Sequence, residues 1–125
     1  MFEIVKKNNL GLIAKRPIAN GAWRANENPN VHSAPTNYAE EYFRRAGIMA
    51  ERGNIINEPE DRIMTSMGYI FSFNDIDVGI IGTQNPKHLL SNIDMYSECL
   101  KISREVISEL NRRFDEFGKN WDQRT

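Results

Sequence analysis

Two clusters in this 125-residue chain carry residue types and spacing that could do chemistry. The first is Gly82-Thr83-Gln84-Asn85-Pro86, which follows the apolar run around Val78, Ile80 and Ile81. It precedes a stretch in which Leu89, Leu90 and Ile93 recur at helical spacing. Asn85 suits a helix N-cap, and Pro86 suits the first helical position, where its missing N–H is no loss. A helix starting at the carboxyl end of a buried strand aims backbone N–H groups and positive partial charge at one spot. Such a spot is a ready anion site, commonly for phosphate. The same spacing also describes an ordinary strand–turn–helix joint of an α/β protein. The second cluster is Lys15-Arg16, at the carboxyl end of the apolar run Leu10 to Ala14. That end of a strand is where α/β sheets bind ligands. Either cation could contact a phosphate, or one could be solvated while the other forms a structural ion pair.

Other chemistry-bearing residues carry less. His32 and His88 lie far apart with no carboxylate at ligand spacing, so no metal site is expected. Cys99 is the single cysteine, which excludes an internal disulfide and fits a cytoplasmic location. Asp75 and Asp77 precede a strand rather than follow it, and read as solvated loop acids at its amino end. Trp23 reads as a core anchor rather than a stacking platform. A net charge of -1 leaves no electrostatic footprint for nucleic acid or an acidic membrane. No apolar run approaches the ~18 residues of a membrane span, and the start MFEIVKKNN lacks the apolar core of a signal peptide.

The elements that must position these residues follow from periodicity. Met1 to Lys7 reads as a helix end, as though cut into rather than started. Leu10 to Ala14 and Val78 to Gly82 read as short strands buried on both faces. Ala25 to Thr36, rich in Asn and Pro, reads as an excursion loop: a cover over a site, or disorder. Tyr38 to Glu51 is expected to be a helix ended by Gly53, with Tyr42, Phe43, Ala46, Met49 and Ala50 on its apolar face. Asn57 to Asp61 is expected to start another helix, with acids in its first turn and a stripe of Ile63, Met67, Ile70 and Phe71. Met95 to Ile102 is weakly defined. Ser103 is expected to cap a last helix with Val106, Ile107, Leu110, Phe114 and Phe117 inward and Gly118 as its stop. No repeat is evident. Composition, 40% hydrophobic and 26% charged, is that of one ordinary domain spanning 1–125. Two strands joined by a helical crossover form a right-handed βαβ unit. Two strands neither close a barrel nor make a full sheet, so a part of the architecture is expected to be missing.

Four stretches resemble the C-terminal portion of an aldo/keto reductase: Leu10 to Arg24 (LGLIAKRPIANGAWR), Asp61 to Ile93, Lys101 to Leu110 (KISREVISEL) and Gly118 to Gln123 (GKNWDQ). The strand-GT-x-N-P-x-x-L-x-x-N run is the most specific of them. The resemblance implies an α/β, βαβα segment like the last two β/α units of a (β/α)8 TIM barrel, helix-rich and incomplete as a barrel. It implies NADP(H) as cofactor, with NAD(H) as the alternative. Arg16, Pro17, Ile18 and Asn20 would lie in the loop over the pyrophosphate. Gly82, Thr83 and Gln84 would meet the adenosine phosphate. His88 falls where the family often has an arginine on the 2′-phosphate, and Ser91 and Asn92 fall beside the adenine. Lys15 stands where the family often has an aromatic stacked on the nicotinamide.

The family's catalytic Tyr, Lys, Asp and His lie on its first four strands. Tyr38, Tyr42, Tyr69 and Tyr96 do not match that motif, so no catalytic residue is assigned. The resemblance implies an oxidoreductase fragment that binds cofactor without being catalytic alone. A different reading is a half-barrel module that oligomerises or pairs with a partner such as the missing N-terminal half. A helical nucleic-acid-binding domain is disfavoured by the near-neutral charge.

Overall fold

A computed structural model describes residues 2–22, 36–98 and 100–122, and only the backbone of residues 36–39. Most of the excursion loop expected from Ala25 to Thr36 falls outside them, with Trp23, His32, Cys99 and the Tyr38 side chain. The described chain is helix-rich α/β. In order it forms α1 (Phe2–Lys7), β1 (Ile13–Lys15), a 3-10 turn (Ala19–Gly21), α2 (Thr36–Ala50), α3 (Arg62–Phe71), β2 (Val78–Ile80), α4 (Pro86–Ser97), α5 (Arg104–Arg113) and a π turn (Phe114–Gly118). Contacts group these into two compact units. One holds Met1–Ile18 and Asp61–Ile102; the other holds Ala19–Glu60 and Ser103–Thr125.

The first unit is built on a parallel pair. Ile13 lies beside Val78, Ala14 beside Gly79 and Lys15 beside Ile80. β1 is therefore later than the Leu10 to Ala14 expected, and β2 ends before Gly82. The register is pinned at the amino ends, where Asp77 Oδ2 accepts the Leu12 N–H at 2.7 Å and the Asp77 N–H donates to Leu12 O at 3.0 Å. Asp77 is exposed, as expected of a loop acid, and is in addition a pairing residue. Asp75 likewise forms an ion pair with Lys6 at 3.0 Å.

The strands are not buried on both faces. Side chains alternate across a strand, and the face carrying Ile13, Val78 and Ile80 remains 60%, 48% and 56% exposed. The opposite face is covered by Phe71 and Pro17. A Cβ added at Gly79 would stand 3.0 Å from Phe71 Cζ and 3.8 Å from Pro17 Cγ, so glycine lets the helix ring settle on the strand. The apolar run alone cannot distinguish one covered face from two.

α3 begins at Asp61, whose Oδ1 accepts the Ile63 N–H at 2.8 Å. Its first turn holds no acid, because Glu58, Glu60 and Asp61 precede the helix. Of the expected stripe, Met67 is buried and Ile63, Ile70 and Phe71 are half-buried. Gly68 lies against Ile102, leaving only 2.6 Å from an added Cβ to Ile102 Cγ2. α1 docks its Phe2 ring on Phe73, stacked with centroids 5.8 Å apart. α4 extends through Ser97, beyond the weakly defined start at Met95.

The second unit is organised by α2 and α5, with Val106 fully buried and Ala22 and Ile55 nearly so. Gly53, at φ 76°, ends the α2 segment with its N–H on Ala50 O at 2.9 Å. Ser103 caps α5 by accepting the Val106 N–H at 3.3 Å. The helix passes into the π turn, which ends at Gly118, the expected stop, and Phe114 is half-exposed rather than inward.

Both helices carry the same pentad, Glu41-x-x-Arg44-Arg45 and Glu109-x-x-Arg112-Arg113. This short repeat escapes a search for long periods. In each, the glutamate takes two bonds from the i+3 arginine and one from the Nε of the i+4 arginine, all at 2.7–2.8 Å. Each i+4 arginine then reaches a distant carbonyl. Arg113, only 5% exposed, donates to Met49 O at 2.8 Å and Gly53 O at 2.9 Å, satisfying acceptors at the end of α2. Arg45 donates to Asp122 O at 2.9 Å.

The paired guanidiniums hold both carboxylates low. Arg44, then Arg45, lowers Glu41 from 4.5 to about 2; Arg112, then Arg113, does the same to Glu109. A carboxylate whose folded pKa lies below its unfolded value stabilises the fold above the unfolded pKa. That contribution is lost as pH falls through the folded one. Stability of this unit is therefore expected to decline between pH 4.5 and about 2, modestly because the pairs are partly open to solvent. Melting temperatures recorded from pH 6 to pH 2 should show this slope, and Glu109→Gln should lower the pH 6 value while flattening the acid limb.

Candidate functional site at the strand carboxyl ends

Because β1 and β2 are parallel and Lys15 pairs with Ile80, the chain leaves both strands at the same end of the sheet. After β1 come Arg16, Pro17 and Ile18. Arg16 adopts φ 61°, a left-handed conformation unusual for a side chain of its size. Pro17 is buried, packed towards Gly79, while Arg16 and Ile18 are half-buried. After β2 come Gly82, Thr83 and Gln84, all exposed. An added Cβ at Gly82 would meet nothing within 4 Å, so open space adjoins the backbone there. Lys15, the last residue of β1, and Lys87 and His88, in the first turn of α4, are exposed cationic or imidazole side chains that flank the two connections.

The start of α4 forms as its residues dictate. Asn85 is extended, at φ -102° and ψ 114°, and its Oδ1 accepts the Lys87 N–H at 3.0 Å. Thr83 Oγ1 accepts the Asn85 N–H at 3.2 Å. The His88 and Leu89 N–H groups donate to Asn85 O at 3.0 and 3.2 Å. The first helical N–H groups are thus internally capped rather than free. An anion bound here would draw on Gly82, Thr83 and Gln84 and on the nearby side chains, or displace the Asn85 carboxamide.

The other sequence candidates separate. His88 and Ser91 are three apart on α4, near neighbours on a helix surface. Ser91 borders a hollow with Met64, Asp94, Met95 and Glu98, whereas Asn92 borders a different one. The second hollow is a cavity of about 370 Å³ among α3, β2 and α4, walled by Met67, Phe71, Val78, Leu89, Ile93 and Tyr96. Consecutive helical residues point about 100° apart, which divides this pair. Asn20 belongs to the other unit, in the 3-10 turn, with φ 56°.

Among the tyrosines, Tyr69 meets Phe73 and Tyr96 meets Phe71, both edge-on at 5.3 Å, as packing aromatics. Among the described residues no group of three His, Cys, Asp or Glu side chains could hold a metal ion, and no helix is long and apolar enough to cross a membrane. The pentad arginines and Asp77 had no role assigned from sequence. For Arg113 the available signal was the repeated Glu-x-x-Arg-Arg spacing itself.

No family model, no curated protein and no solved structure matches the chain.

The cap and the open glycine make opposite predictions. Asn85→Ala should lower stability by about 1 kcal/mol through loss of the α4 cap. Gly82→Ala should leave the melting temperature nearly unchanged, since its added methyl meets no protein atom within 4 Å. Thermal denaturation of the two variants checks both.

Proposed function

We propose that this chain is the cofactor-binding C-terminal part of an NADP(H)-dependent aldo/keto reductase. The observation that carries the reading is the parallel pairing of Ile13–Lys15 with Val78–Ile80. It sends Arg16-Pro17-Ile18 and Gly82-Thr83-Gln84 from the same end of one sheet, the end at which α/β proteins bind ligands. In this reading β1 and β2 are the last two strands of a (β/α)8 barrel. The open space at Gly82, with Lys15, Arg16, Lys87 and His88 on or flanking the two connections, suits a phosphorylated dinucleotide.

The cofactor would supply the hydride. This chain's own residues would bind and orient it, with Arg16 to Ile18 over the pyrophosphate, Gly82 to Gln84 and His88 at the adenosine phosphates, and Ser91 and Asn92 towards the adenine. The proton-donating residues of the family belong to earlier strands, so the chain alone does not turn over a carbonyl. Calorimetric titration with NADPH and with NADH tests the reading. Micromolar binding of NADPH, weakened by His88→Ala and by Gly82→Val, is the expected result. A folded sample that binds neither nucleotide would overturn the reading for the isolated chain.

A second reading, an assembly module that pairs with itself or with a partner chain, is favoured by a specific surface. Ile13, Val78 and Ile80 on the sheet, and Leu89, Leu90 and Ile93 on α4, are each about half exposed or more. Parallel strands are ordinarily covered on both faces, and unpaired edges invite another strand. Light scattering should then give a mass that rises with concentration. A constant monomer mass would remove this reading.

A further inference from the structure

We infer that residues Lys119–Asp122 form a strap, held on α2 by Arg45, that opens while α2 and α5 stay folded and joined. The two pentads use one device at two depths. Arg113 is buried and spends its guanidinium on Glu109, Met49 O and Gly53 O, which ties α5 to the end of α2. Arg45 is more open, with 15% of its side chain exposed, and reaches the strap through one carbonyl, Asp122 O. Its guanidinium also lies 5.1 Å from the centre of the Trp121 ring, a cation–π contact.

Among the described residues, the rest of the strap's hold is local. The Trp121 N–H donates to Gly118 O at 2.9 Å, and the Trp121 ring meets Phe114 edge-on at 6.2 Å. Lys119, Asn120 and Asp122 are exposed, and Trp121 is only half-buried. The π turn before the strap is held separately, by the Arg52–Glu116 ion pair and by Arg52 lying 4.7 Å from the centre of the Phe117 ring. Segments with few buried contacts open at lower free energy than the elements they rest on. The strap therefore opens at the Arg45 contact, leaving the π turn in place and uncovering the Phe114 ring and the Arg45 guanidinium.

Amide hydrogen exchange on the full chain tests the order of opening. The Trp121 amide should exchange at least about tenfold faster than the interior amides of α2 and α5, by a local rather than a global opening. Arg45→Gln should speed Trp121 exchange further and shift its indole resonance, with far-ultraviolet helicity unchanged. Glu41 keeps its two bonds from Arg44 in that variant, so no unpaired carboxylate complicates it. Arg45→Lys should give an intermediate effect, retaining charge without the fork. Arg113→Gln should instead speed exchange throughout α2 and α5. Equal exchange of Trp121 and the helix interiors in the unmodified chain would overturn the proposal, and this arm needs no variant to fold. An unchanged Trp121 in Arg45→Gln would overturn it as well.

Discussion

Parallel pairing of two three-residue strands, separated in sequence by about half of the chain, is the constraint on which the candidate site depends. Parallel strands cannot be joined by a tight turn, so their pairing must be specified by contacts distant in sequence. Here that specification comes from both ends of the pair. At the amino end, Asp77 and Leu12 exchange two hydrogen bonds, one through the carboxylate and one through the backbone. On the covered face, Gly79, paired with Ala14, is small enough for Phe71 and Pro17 to approach. A one-residue slip of β2 would turn Val78 and Ile80 onto that face and drive their side chains into the space Phe71 occupies. The loops carrying Arg16 and Gly82 start together because this register does not slip.

The other unit solves a different problem, how to join two helices and an irregular end with little apolar burial. Val106, Ile55 and Ala22 supply a small core. Helix ends leave carbonyls without intrahelical partners, and a guanidinium with several donors can satisfy two of them at once. Arg113 does this for the end of α2, while Glu109 fixes the fork and balances its charge. A buried arginine with all its partners in place is tolerated; removal of one partner would leave an uncompensated charge. The pentad therefore acts as a unit: Glu and the i+3 arginine hold the i+4 arginine in position, and the i+4 arginine makes the long-range contact.

What could be read from the residues in order was the local part of this architecture. Asn85-Pro86, Ser103 and Gly53 start or end helices through bonds to residues a few positions away, so their neighbours in sequence suffice to foresee them. The helical spacing of Ile63, Met67, Ile70 and Phe71 likewise marks one side of α3 without reference to anything else. The residues proposed to hold a dinucleotide come from a resemblance of motifs, and the parallel pairing of their strands was implied by the same apolar runs and crossover.

Tertiary structure decided everything that depends on what stands opposite. Ile13, Val78 and Ile80 read as doubly buried because an apolar run carries no information about whether one or two layers cover it. The described structure covers one. Asp77 read as no more than a solvated acid because its partner, the Leu12 N–H, lies 65 positions away. Arg113 drew no reading from the sequence, because the Met49 and Gly53 carbonyls it serves lie a similar distance away in the chain. Ser91 and Asn92, adjacent in sequence, face separate hollows because a helix rotates about 100° per residue and each side of α4 meets a different surface. Caps and periodicity are set between near neighbours, and so are written in the order of the chain. Burial, charge pairing and the lining of a cavity are set between surfaces, and only folding brings those surfaces together.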